Sequence, residues 1–173
     1  MKKKDNIILI GMPGVGKSTV GVVLAKSKGY RFIDSDLVIQ ETYGKLLHEL
    51  ISDLGTEGFI ELENQVNASL DVENAVIATG GSAVYGQEAM EHFKKIGTIV
   101  YLKLSYDGIK RRLGDLSKRG VILREGQNLY GLYQERIPLY EKYADITVSC
   151  RRKHIRRIVE QIIENVNCME KSE

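Results

Sequence analysis

The segment "GMPGVGKS", Gly11 to Ser18, leaves this chain little freedom in what it can fold into. It satisfies the pattern G-x-x-x-x-G-K-[S/T], in which glycines let successive backbone N–H groups turn inward around a phosphate. Lys17 then reaches the outer phosphates, and the Ser18 hydroxyl is placed to ligate Mg²⁺. The flanks agree with this. The apolar run Asn6–Ile10 reads as a buried strand, and "KSTVGVVLAK" reads as a helix whose N-terminus adds its positive end to the loop. A chain with this unit is expected to bind a nucleoside triphosphate, with Gly11, Gly14, Val15, Gly16, Lys17, Ser18 and Thr19 as the contacting residues.

The remaining sequence alternates short β-branched runs with longer segments of helical period, the pattern of an α/β domain with a parallel sheet. Strands are expected at Asn6–Ile10, Arg31–Asp34, Ala75–Ala78, Thr98–Leu104 and Ile146–Ser149. Helices are expected at Lys17–Ser27, Leu37–Thr42, Leu46–Leu54, Glu57–Leu70, Gln87–Lys95, Tyr106–Leu113, Leu129–Lys142 and His154–Asn167. Gly29, Gly55, Gly97 and Gly114 stand where C-terminal caps would. At 173 residues, with no repeat or low-complexity linker, the chain is read as one domain, 1–173. The polar segment 114–128, with three glycines and Lys118, Arg119 and Arg124, fits neither period; loops of that length inside compact domains are more often functional than accidental.

"FIDSD", Phe32 to Asp36, poses a second constraint. Asp34 and Asp36 stand two residues apart at what reads as the end of a buried strand, so both carboxylates are expected to point to the same side, roughly 6–7 Å apart. Carboxylates so close in a sheltered place need a compensating metal ion, basic side chain or substrate hydroxyl. A cap on the following helix is the plainer role for Ser35 or Asp36. The third strand ends "ATGGSAV", and the open backbone at Gly80 and Gly81 suits close approach of a small substrate. The Asn-Lys-x-Asp segment by which GTP switches read guanine is absent from the sequence.

Taken together, "GMPGVGKSTVG", "FIDSD", "TGGSAV", the basic loop around Arg119 and "ERIPLYEKYAD" resemble the shikimate kinase family over nearly the whole chain. The resemblance implies a three-layer P-loop kinase fold of the nucleoside monophosphate kinase type. That fold has a five-stranded parallel sheet of order 2-3-1-4-5, helices on both faces, a substrate-binding helical segment at about 37–71 and a lid at about 114–126. The implied activity moves the γ-phosphate of ATP to the 3-hydroxyl of shikimate. Lys17, Asp36 and Arg119 would be catalytic, and Ser18 and Asp34 would serve Mg²⁺. Arg112, Arg119 and Arg152 would join the phosphate loop on ATP. Asp36, Phe59, Gly80, Gly81 and Arg136 would hold the acceptor, Arg136 by its carboxylate; read alone, Arg136 would be a surface ion pair.

Ile60 departs from this pattern, which has arginine there as a second clamp on the acceptor carboxylate. Losing such a charged partner costs about 1.5–3 kcal/mol. Thr56, Ser82 and Gly120 also differ from it. The alternatives are therefore a kinase of a related polyol or hydroxy acid, or a nucleotide-binding regulatory protein. A net charge of +2 gives no general electrostatic case for nucleic acid, and no apolar run approaches membrane-spanning length. The chain is expected to be a cytoplasmic monomer acting on a small molecule. The two cysteines have no metal spacing.

Overall fold

A computed structural model describes residues 5–114 and 121–172. The first strand, β1 (Asn6–Ile10), is buried along its length and lies in the middle of the sheet. Its neighbours are β3 (Ala75–Ala78) and β4 (Gly97–Lys103), with Ile8 opposite both Ile77 and Ile99. Outside them run β2 (Arg31–Asp34) and β5 (Ile146–Ser149), so the order is β2-β3-β1-β4-β5 and every pairing is parallel. Ile, Val and Leu fill the central strands because both of their faces are covered. The sequence expectation of this sheet and order holds.

Seven helices flank the sheet among the described residues: α1 (Lys17–Lys28), α2 (Ser35–Tyr43), α3 (Leu47–Ala68), α4 (Gln87–Ile96), α5 (Tyr106–Leu113), α6 (Leu129–Tyr143) and α7 (Ile155–Glu170). Helix α1 packs with α7, and α3 with α4. A separate small apolar cluster, Ile39, Leu50, Phe59, Leu62, Val66 and Ile122, joins α2 and α3 to the segment after residue 120.

Three local expectations change. The helices expected on either side of Gly55 are one element, α3, kinked where Gly55 takes φ 72° and ψ 177°. Gly97 does follow α4, but with extended backbone, and it opens β4. Helix α2 begins at Ser35 rather than Leu37, so β2 ends at Asp34 and Asp36 lies in a helical turn.

Because all five strands are parallel, their carboxyl ends open at one edge, where the crossover loops converge. The opposite edge is tied by the buried side chain of Asn6. Its amide donates to Val72 O (2.8 Å) and Ile96 O (2.9 Å), and its oxygen accepts from Ala75 N (3.0 Å), stapling the entries of three strands. Asn6→Ala strands three backbone groups in the interior. It is expected to cost about 3 kcal/mol in urea unfolding, with the folded far-UV spectrum retained.

Candidate active site

Strand β1 leaves the sheet into the loop 11–16, which ends at Gly16 in a left-handed conformation (φ 104°) directly before α1. Lys17 is the first residue of that helix, and its ammonium turns back to donate to Gly11 O (2.7 Å) and Met12 O (3.0 Å). Burial pulls Lys17 down to about 8, against the opposing pull of Asp36. Val15 is buried beneath the loop, and Ser18 and Thr19 are exposed in the first turn of α1. On the loop's outer side Arg112 donates to Val15 O (2.8 Å). Arg112 also lines a separate cavity with Arg151 and Arg152.

The two aspartates of "FIDSD" do different things. Asp34 caps α2: its Oδ1 accepts from Asp36 N (3.0 Å), while its Oδ2 accepts from the Ser18 hydroxyl (3.0 Å). The cap is therefore Asp34, not Ser35 or Asp36. Asp36 faces the main cavity, where burial first, and then the nearby Asp34, push it up to about 6.

That cavity, of about 580 Å³, brings together Gly14, Gly16, Lys17, Ser18, Thr19, Asp36, Phe59, Gly80, Gly81 and Arg136. Its floor is the backbone after β3. A Cβ on Gly80 would lie 2.5 Å from Glu63 Oε1 and 2.9 Å from Asp36 Oδ1. One on Gly81 would lie 2.8 Å from both Pro13 Cδ and Arg136 Nη1. A side chain at either position would have to displace Asp36, Glu63, Pro13 or Arg136, which is the physical content of the paired glycines.

Arg136 is no surface ion pair: it is 1 % exposed. Its Nε donates to the Tyr85 hydroxyl (3.3 Å), which itself donates to Glu135 (2.5 Å). Arg124 pairs with Glu135 and Glu57 and lies over the Tyr85 ring, so Arg124 and Arg136 both sit against one tyrosine. Tyr140 donates to Gly81 O (2.6 Å). Arg119, expected to act from the lid, lies outside the described residues, as do 115–118 and 120. Ile60 is half-buried against the small apolar cluster; it lines a neighbouring shallow cavity with Tyr85 and Asn64 rather than the main one.

A phosphate loop on the central strand, a cavity shared with buried acidic and basic groups, and a sheet of order 2-3-1-4-5 define a kinase of the P-loop fold. The shikimate kinase family profile matches residues 13–167. Shikimate kinase of Thiobacillus denitrificans is 36 % identical over 159 residues, 90 % of this chain and 86 % of that protein. A structure of shikimate kinase from Acinetobacter baumannii in complex with shikimate superimposes with a TM-score of 0.86 at 30 % identity, covering 96 % of this chain and 94 % of that one. Shikimate kinase from Aquifex aeolicus gives 0.81 at 32 % identity, covering 94 % and 96 %. The chain belongs to the shikimate kinase family.

Sequence reasoning gave no role to Glu63, Ser82, Tyr85, Glu135 or Tyr140. Ser82 was visible as a departure from the family pattern, and Glu135 and Tyr140 stood within "ERIPLYEKYAD". Glu63 stood three residues after the position where the pattern lost its arginine, but none of these signals carried a chemical role. Glu63 is buried, and the Ser82 hydroxyl donates to its Oε2 at 2.5 Å. Burial pushes it up to about 7, although the Ser82 hydrogen bond pulls the other way. The folded protein thus keeps this proton to about pH 7, whereas the unfolded chain releases it near 4.5, so stability falls as pH rises between those values. Between pH 5 and 8 the parent is expected to lose as much as about 3 kcal/mol more stability than Glu63→Gln, read from urea midpoints. Equal losses would show that the folded state holds the carboxyl ionised throughout.

Proposed function

We propose that this chain is an ATP-dependent kinase that phosphorylates shikimate. The observation that carries the reading is one cavity in which the phosphate-loop residues Lys17 and Ser18 and the acceptor-side residues Asp36 and Arg136 meet across the Gly80–Gly81 backbone. The glycine-lined loop suits a polyphosphate, and the hard oxygens of Ser18 and Asp34, already 3.0 Å apart, suit Mg²⁺ held directly by the first and through water by the second. Bound there, the metal would neutralise charge on the phosphates.

In this reading Lys17 holds the outer phosphates and balances the charge that grows on them. Asp36 orients the acceptor hydroxyl and takes its proton as the bond to phosphorus forms. A carboxyl at about 6 is adequate for that, because phosphoryl transfer depends on positioning and electrostatics more than on a strong base. Arg136 holds the acceptor carboxylate, with Phe59 as the apolar wall and Gly80 and Gly81 as the floor. Arg112 and Arg152 flank the adenine, and Arg119 supplies a further cation to the transferring group. The reading makes the chain a single kinase domain with a lid at 114–126, monomeric and working in the cytoplasm, where ATP is supplied.

A second reading, a kinase of a related polyol or hydroxy acid, is favoured by Ile60, since α3 offers the acceptor no guanidinium. An ADP-release assay over shikimate, quinate, gluconate, homoserine and nucleoside monophosphates separates the two: the highest kcat/KM is expected on shikimate, and a higher value on another acceptor would favour the second reading. Lys17→Ala is expected to lower kcat about 100- to 1,000-fold with the fold intact. Near-full turnover in that variant would remove the phosphate-loop argument. Asp36→Asn should lower turnover with KM for ATP little changed; a loss confined to that KM would move Asp36 to the nucleotide side.

A further inference from the structure

Glu63 uses only half of its hydrogen-bonding capacity. It is 1 % exposed, Oε2 accepts from Ser82, and Oε1 is buried without a hydrogen-bond partner. Glu63 lines the main cavity with Asp36, and its free oxygen lies just under that surface, converging with Asp36 Oδ1 on the place a Gly80 side chain would occupy. No cation comes from its own helix: α3 contains no lysine or arginine, and the residue one turn earlier is Ile60.

The charged groups that face Glu63 come from three other helices: Lys17 of α1, Asp36 of α2 and Arg136 of α6. Ser82, ahead of the short 3₁₀ turn at Ala83–Tyr85, and Tyr140 of α6 complete the surroundings as neutral hydroxyls. Two cations and two carboxyls balance. Lys17 is committed to the phosphate-loop side, however, so an acid arriving at Arg136 leaves one cation facing Asp36, Glu63 and the ligand's own carboxylate. Surplus charge of one sign in a water-poor cavity is relieved most cheaply by protonating the most deeply buried acid.

We infer that Glu63 couples acceptor binding to proton uptake: when a hydroxy acid binds at Arg136, Glu63 takes a proton from solvent and donates it from Oε1 in a hydrogen bond to an acceptor oxygen, while Ser82 holds its other oxygen. The proton does the neutralising that no side chain of α3 provides. The inference rests on the kinase reading above and goes further by assigning the acceptor site a protonation step. Burial already holds Glu63 at about 7 before any ligand arrives, within reach of such an uptake.

The test is calorimetric titration of the whole protein with shikimate, without nucleotide, at pH 7.5 in two buffers of different ionisation enthalpy. The parent is expected to take up a large fraction of one proton per shikimate bound. Its Kd should weaken with rising pH, by up to about tenfold per unit above the titration of Glu63. Glu63→Gln should bind with that uptake lost and with nearly constant Kd, because the amide N–H₂ donates where the protonated carboxyl did. Ser82→Ala, which removes a donor that favours the anion, should keep tight binding to higher pH; it tests the inference even if Glu63→Gln does not fold. Binding without proton uptake, equal uptake in Glu63→Gln, or an unshifted pH profile in Ser82→Ala would overturn the inference while shikimate phosphorylation by the parent left the kinase reading standing. Failure of the parent to phosphorylate shikimate would overturn that reading and this inference with it.

Discussion

Two cations and two carboxyls held out of water at one edge of a parallel sheet set the terms for everything around them. Lys17, Asp36, Glu63 and Arg136 come from four different helices, so no single element can place them. Only the common direction of the strands brings the starts and faces of those helices to one place. Removing one of the cations takes a counter-charge from the carboxyls, which can then limit the cost by holding a proton. The same balance accounts for the direction of the displaced titrations: burial penalises each charged form, lowering the lysine and raising the acids, and the opposite charges nearby limit how far each moves.

The scaffold meets that demand with two apolar clusters. The larger lies around the sheet and fixes the ends of β1 and β3, hence the phosphate loop and the glycine floor. The smaller, around Phe59 and Ile122, attaches α2 and α3, hence Asp36 and Glu63. Arg136 is set by polar contacts in addition to packing, through Tyr85, Glu135 and Arg124. These last contacts involve partly exposed residues, so they orient the guanidinium more than they add stability.

What the sequence made legible was local. Eight residues declare the phosphate loop because its chemistry needs contiguous backbone, and β1, β3 and β4 announce themselves by apolar runs that a doubly covered sheet requires, whereas the outer strands β2 and β5 are partly exposed. Sequence alone puts the cap of α2 at Ser35 or Asp36 rather than Asp34, and Asp36 on the strand, because a two-residue spacing looks alike on a strand and at a helix start; which applies depends on where β2 stops, and that is settled by tertiary packing. The pairing of Glu63 with Ser82 spans 19 positions, and the seat of Arg136 on Tyr85 spans 51, separations at which spacing carries no signal. Ile60 was legible as a departure, yet its place in a neighbouring cavity depends on how α3 rotates over the smaller cluster.

Pro13 of the phosphate loop and Arg136 of α6 both close on the space a Gly81 side chain would take. The phosphate loop and the buried guanidinium are thus brought together over bare backbone. On the kinase reading proposed above, a bisubstrate ligand that joined a polyphosphate to a hydroxy acid would pass its tether over this glycine backbone, where the crowding by Pro13 and Arg136 makes linker thinness the quantity to optimise.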